Sequence, residues 1–121
     1  MYSSTMEASV DELSDLGNGI EAAGVVIHSG KQGKHQKDHP NYMPGKSVLT
    51  HPDPQGLLDE FGGTGTPVTG VKGQAGYKER VDFGQVIGDY VDPTTGVATQ
   101  TTKGIITYDS NGMAHIIPAR P

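Results

Sequence analysis

Apolar residues along the chain fall into short patterned stretches separated by polar or glycine-rich spacers. Over residues 6–16, MEASVDELSDL sets Met6, Val10, Leu13 and Leu16 at helical intervals, with acids early, where they complement the positive end of a helix dipole. Gly17 and Gly19 weaken or end that helix. Residues 20–27 form a second apolar run that could continue as helix or open into a strand, and the β-branched Val25, Val26 and Ile27 favour a strand at its end. A third pattern is sharper: Asp53 caps, Pro54 takes a first-turn position, QGLLDEF supplies the turns and Gly62 stops them. It predicts a short helix burying Leu57, Leu58 and Phe61. GGTGTPVTGVKGQAG, residues 62–76, has six glycines and a proline and reads as a long loop or lid.

The last third changes character. VDFGQVIGDYV over residues 81–91 is strand-like, DPTTG supplies turn chemistry, and TQTTKGIITY and MAHIIP flank DSNG. Asn111-Gly112 signals a hairpin, since both residues tolerate the positive φ of a type I′ turn. A two-residue turn sets Tyr108 opposite His115 and Ile106 opposite Ile117, with Thr102, Tyr108 and His115 on one face. A three-residue loop with a bulge pairs His115 with Thr107 instead. Helices segregated ahead of an antiparallel meander of three or four strands define an α+β class.

One domain fits 121 residues, and 33% apolar content with 18 glycines and no tryptophan implies a small core and many loops. Without cysteine there is no disulfide framework and no thiolate zinc site. No run approaches the roughly 18 apolar residues of a membrane span, so no membrane is expected as a partner. The net charge of −5 looks unsuited to nucleic acid. Its distribution removes the conflict: Glu7, Asp11, Glu12, Asp15 and Glu21 fall in the first 25 residues, which hold no Lys or Arg, and the rest balances to zero.

The chemistry concentrates in residues 29–47, SGKQGKHQKDHPNYMPGKS, where Lys31, Lys34, Lys37, Lys46, His35 and His39 face a single acid, Asp38. Lysines neutralise a phosphate, and imidazoles, which titrate near pH 7, act as base or acid on its attacking and leaving oxygens. His35 is the candidate base and Lys31 the stabiliser of charge on phosphorus; a solvated surface run is the bland alternative. His28, His35, His39 and His51 also form a candidate metal cluster, weakened by the absence of cysteine and of a secure helix. Thr102, Lys103, Tyr108, His115 and Arg120 bring polar groups to the C-terminal strands, where His115 could protonate a leaving oxygen. Tyr42 could stack on an unpaired base, and Glu79 is either a second acid–base group or part of a charged, solvent-facing strand entrance.

The blocks GKQGKHQKDHPNYMPGKSVLT, DPQGLLDEFGGTG and GIITYDSNGMAHIIPARP, in this order, resemble the polymorphic toxin type 50 domain, a predicted ribonuclease at the C-terminus of large bacterial exported proteins and some phage head proteins. The resemblance divides the chain into residues 1–27, a linker or remnant of the segment that carries a toxin into its target, and residues 28–121, the toxin nuclease domain. It implies a barnase/EndoU/colicin/RelE-like fold, with N-terminal helices on a four-stranded antiparallel sheet whose exposed face holds the active site. Lys31, Gln32, His35, Asn41, Tyr42 and Ser47 match the family's first motif, and Thr102, Tyr108 and His115 its last. Family members often carry histidine where this chain has Thr107, which shifts weight to His35 and His115.

The expected function is a metal-independent endoribonuclease without cofactor, cleaving RNA, and tRNA foremost, through a 2′,3′-cyclic phosphate. His35, His115, Lys31, Thr102 and Tyr108 are its catalytic candidates, with Gln32, Lys34, His39, Asn41, Tyr42, Lys46, Ser47, Lys103 and Arg120 binding substrate. Base and acid roles could be exchanged. A cognate immunity protein and a host translation factor such as an elongation factor are the expected partners, with export from one bacterium and action in the cytoplasm of another. The rivals are a non-catalytic binding or structural module and a metal-dependent DNase.

Overall fold

The structure, a computed structural model, describes residues 24–121; the helix expected over residues 6–16 lies outside the described residues. The chain folds as β1 (Val26–Ile27), α1 (Ser29–Gly33), β2 (Val48–Leu49), α2 (Pro54–Phe61), β3 (Thr66–Thr69), β4 (Lys78–Asp82), β5 (Gly88–Val91), β6 (Ala98–Thr101), β7 (Lys103–Tyr108) and β8 (Met113–Pro118). The mixed α/β class holds, but strands dominate. Among the described residues the two helices, of five and eight residues, do not make the helical layer the resemblance implies, and the strands form two sheets rather than one meander. A five-stranded sheet has the order β1-β8-β7-β4-β3 and a three-stranded sheet the order β2-β5-β6. Among the described strands only the β1–β8 pair is parallel.

Local chemistry accounts for several elements. Asp53 caps α2 by accepting from the Gly56 N–H at 3.0 Å, with Pro54 at its start and Gly62 at its end. Its Leu57 and Leu58 enter the core, and Phe61 meets Phe83 edge-on at 5.1 Å. The side-chain amide of Gln55 on α2 accepts from Ile27 N–H and donates to the Val25 carbonyl, satisfying the free edge of β1. The glycine-rich stretch is not a lid: its middle is β3, an edge strand paired with β4.

The β7–β8 turn decides which side chains share a face. Asp109 N–H donates to the Met113 carbonyl, the Asp109 carboxylate accepts from the N–H groups of Asn111 and Met113, and Gly112 has φ +70°. This is the three-residue alternative, with glycine at the left-handed position. Thr107 therefore pairs with His115, and Tyr108 with Ala114. Ile106, Tyr108, Ala114 and Ile116 face the core with Val81, Phe83 and Ile87, while Ile105, Thr107, His115 and Ile117 face outward.

Candidate active site

Two rungs of side chains cross the outer face of the larger sheet. Lys78, Thr107 and His115 are in register across β4, β7 and β8, followed by Arg80, Ile105 and Ile117. This face, the segment after α1 and the end of β5 bound an open cleft of about 710 Å³. Lys31, Lys34, Lys46, Arg80 and Arg120 line it, and no Asp or Glu is among its lining residues. An acidic chain thus presents a cationic groove, the local field an anionic ligand meets first.

His35 and His115 meet in this cleft. Their ring centroids are 6.2 Å apart and the ring planes differ by 17°. His35 follows α1, and its Nδ1 lies 2.9 Å from the Ser47 carbonyl oxygen. A carbonyl only accepts, so Nδ1 carries the proton and Nε2 keeps its lone pair. Ser47 is itself fixed, its Oγ accepting from Val91 N–H at 2.9 Å. Burial holds the His35 pKa below its ordinary value, against the opposing pull of the Ser47 carbonyl, and Lys46 and Lys34 add repulsion. His115 is pushed down to about 4, first by burial and then by His35, Lys31, His28 and Lys34. Both imidazoles are therefore neutral at pH 7 in the free protein.

The short helix before His35 holds its position through tertiary bonds. The His28 side chain accepts from the Lys31 N–H at its start. The buried amide of Gln32 donates to the Ile116 carbonyl at 2.8 Å and accepts from Ile116 N–H at 2.7 Å, standing in for the strand neighbour β8 lacks beyond β1. Asn41 Nδ2 donates to the Gly30 carbonyl. Gly33 has no room for a side chain, since a Cβ there would lie 2.2 Å from the His39 ring. Lys31 Nζ lies 3.3 Å from Asp109 Oδ2 across the hairpin turn. Burial would raise the Asp109 pKa, but the Asn111 and Met113 N–H groups and Lys31 outweigh it and hold it low.

The cleft thus gathers Lys31, Lys34, His35, Lys46, Ser47, His115 and Arg120. Other sequence candidates lie elsewhere. Gln32 and Asn41 hold α1 rather than face the cleft, and Tyr42 is outside its lining. His39 accepts from Asn41 N–H and borders a separate hollow with Gln36, Lys37 and His51. Thr102 donates to Asp82 at 2.9 Å, and Lys103 pairs in register with Asp82. Tyr108 is buried on the opposite sheet face from His115 and donates its hydroxyl to Glu79. Burial, then that Glu79 bond, pushes the Tyr108 pKa well above its usual value.

Glu79 is neither an acid–base group of the cleft nor solvent-facing. It is fully buried, and its two oxygens accept from Gly63 and Gly65 N–H at 2.7 Å each, tying the glycine-rich segment to β4. The histidines do not assemble a metal centre: no group of three or more His, Asp or Glu is spaced to hold an ion among the described residues. None of the described helices is long and apolar enough to cross a membrane.

Arg80, Tyr90, Ile105 and Ile117 are cleft residues the sequence reading missed. A signal for Arg80 was present, because period-two alternation in KERVD sends Glu79 and Val81 inward and Lys78 and Arg80 outward. Tyr90 had none, since its approach depends on how the smaller sheet meets the larger.

No curated protein matches the chain. The family model for bacterial toxin 50 matches residues 27–118, from β1 to the end of β8 and including the whole cleft lining except Ala119 and Arg120. The chain belongs to the bacterial toxin 50 family.

Proposed function

We propose that this toxin domain is an endoribonuclease that needs no metal and cleaves through a 2′,3′-cyclic phosphate. The observation that carries the reading is the His35–His115 pair, 6.2 Å apart in a groove with five cations. That gap suits two proton-transfer groups on either side of one phosphate.

The geometry favours His35 as base. With Nδ1–H bonded to Ser47, Nε2 removes the proton of the ribose 2′-hydroxyl, which attacks the adjacent phosphorus. Lys31, with Lys34 and Lys46 along the same groove, stabilises the charge that builds on the phosphorane oxygens. His115 protonates the departing 5′-oxygen. It is neutral in the free protein, held so first by burial and then by His35 and the nearby cations, and takes up its proton when the negative charge of a bound phosphodiester favours the imidazolium. The cyclic phosphate and a free 5′-hydroxyl are the products. Thr102 and Tyr108 take no part.

On this reading unpaired loops of folded RNA are the substrate, tRNA foremost. A basic cleft on a net acidic protein also suits presentation of the RNA by a host translation factor. As a toxin domain it acts after export, in the cytoplasm of a target bacterium, and its producer needs a cognate immunity protein.

Incubation with total bacterial RNA, with and without EDTA, tests the reading. Fragments ending in 2′,3′-cyclic phosphate and starting with 5′-hydroxyl, in equal yield under both conditions, are expected. Intact RNA, or nicking of plasmid DNA that EDTA abolishes, would overturn it.

A further inference from the structure

Beyond His115 the cleft changes character. One rung along the sheet, Ile105 and Ile117 form an apolar floor, with Arg80 beside Ile105. Tyr90 walls this end from β5. The Arg120 guanidinium lies 5.6 Å from the Tyr90 ring centroid and donates to the Tyr90 hydroxyl at 3.3 Å, while Arg80 donates to the Arg120 backbone carbonyl. A phosphate site needs none of this. Apolar floor, aromatic wall and planar cations together make a place for a flat, partly polar ring.

We propose that this end of the cleft is a nucleobase subsite, taking an unpaired base that carries a keto edge, guanine or uracil, from the nucleotide at the scissile phosphate. The inference rests on the ribonuclease reading and adds what the cleft selects. Alternate residues on a strand are roughly 7 Å apart, so Ile117 stands one nucleotide's reach from His115. The polar side chains that line this end offer donors: both guanidinium groups donate, and the Tyr90 hydroxyl, already accepting from Arg120, has its own O–H left to give, while the one carboxylate near them, Asp92, lies outside the lining and is engaged at 4.0 Å by Arg120. Guanine presents O6 and N7 as acceptors and uracil its carbonyl oxygens, whereas the exocyclic amines of adenine and cytosine would meet donors.

Binding of small ligands tests this separately from cleavage. Titrate the full chain with the 3′-monophosphates of uridine, guanosine, adenosine and cytidine, and with ribose 5-phosphate as a baseless control. The wild type should bind the uridine and guanosine nucleotides at least tenfold tighter than the other two and than the control. Tyr90→Leu should weaken the uridine and guanosine nucleotides by roughly 5- to 100-fold and ribose 5-phosphate by less than twofold. Tyr90→Phe, which keeps the ring, should stay within threefold of wild type for both. Arg120→Ala should erase the preference between keto and amino bases.

Equal affinity for all nucleotides and the baseless control would overturn the proposal, as would equal losses for both ligand types in Tyr90→Leu. RNA cleavage that persists in that case, with no base preference at the cut, would leave the ribonuclease reading standing. Absence of both phosphate binding and RNA cleavage would sink the two together.

Discussion

The Nδ1 of His35 lies 2.9 Å from the carbonyl oxygen of Ser47. This bond fixes the tautomer of a histidine that is 7% exposed and aims its remaining lone pair into the cleft. Asparagine can offer its amide N–H in place of Nδ1–H yet has no basic atom at the Nε2 position. His35→Asn should therefore fold like the wild type by circular dichroism and thermal melting while RNA cleavage falls about 10²- to 10⁴-fold. Retention of more than a tenth of wild-type kcat/KM would remove His35 from the chemistry.

The same pair sets an expectation for pH. Cleavage needs one neutral and one protonated imidazole, and both groups have values lowered from 6.5, His115 to about 4. For free enzyme and substrate, kcat/KM should peak below pH 6.5 and decline by about tenfold per pH unit above its upper limb, where the acid has lost its proton. The limb in kcat, which reports the complex, should lie at higher pH because bound phosphate favours the imidazolium. A kcat/KM that is flat or rises from pH 6 to 8 is incompatible with an imidazolium acid.

Stability carries a matching signature. The unfolded chain protonates His115 near its ordinary value of 6.5, whereas the folded chain does so only near 4. Between these values the unfolded state binds more protons, so the stability present above pH 6.5 is lost as pH falls towards 4. Allowing for solvent at this partly open site, the loss attributable to His115 is about 1–2 kcal/mol. His115→Gln should lack that increment. Urea unfolding of both proteins at pH 7 and pH 4.5 measures it, and equal losses would show that His115 is not held neutral by the fold.

Tyr108→Phe should separate folding from catalysis. Its hydroxyl donates to the buried Glu79, which also holds the Gly63 and Gly65 N–H groups. Losing that donor should cost about 1–3 kcal/mol of stability and leave RNA cleavage within twofold at a temperature where the variant is folded. Glu79→Ala, which strands the buried Tyr108 hydroxyl and the half-buried Gly63 and Gly65 N–H groups, should cost about 3–5 kcal/mol. A hundredfold loss of activity in a fully folded Tyr108→Phe would return the phenol to the mechanism.

What the sequence disclosed follows from how local each feature is. Helix α2 was readable because its cap, first-turn proline and stop lie within ten residues and need no partner. His35 and His115 could be paired from sequence only by the chemistry expected of them, and the structure brings their rings to 6.2 Å. The face of Tyr108 was not, because a single residue of loop length in DSNG sends every side chain of β8 to the other side of its pairing with β7. Gln32 looked like a substrate ligand because polarity alone does not reveal a side-chain amide acting as a strand. Glu79 looked exposed for a similar reason: its three donors come from β7 and a glycine segment, and only tertiary folding brings them to it.

The position of β8 between β1 and β7 bears on how the toxin comes alive. Among the described strands β8 is the last in chain order, yet it occupies the interior of the sheet and carries one of the two imidazoles. Without β8 the chain has His35 and all its lysines but no opposing ring, no partner for Gln32 and no floor at Ile117. Until this strand is laid between its neighbours the groove shared by the two rings does not exist, so in the proposed mechanism cutting power arrives in one step, with the folding of β8.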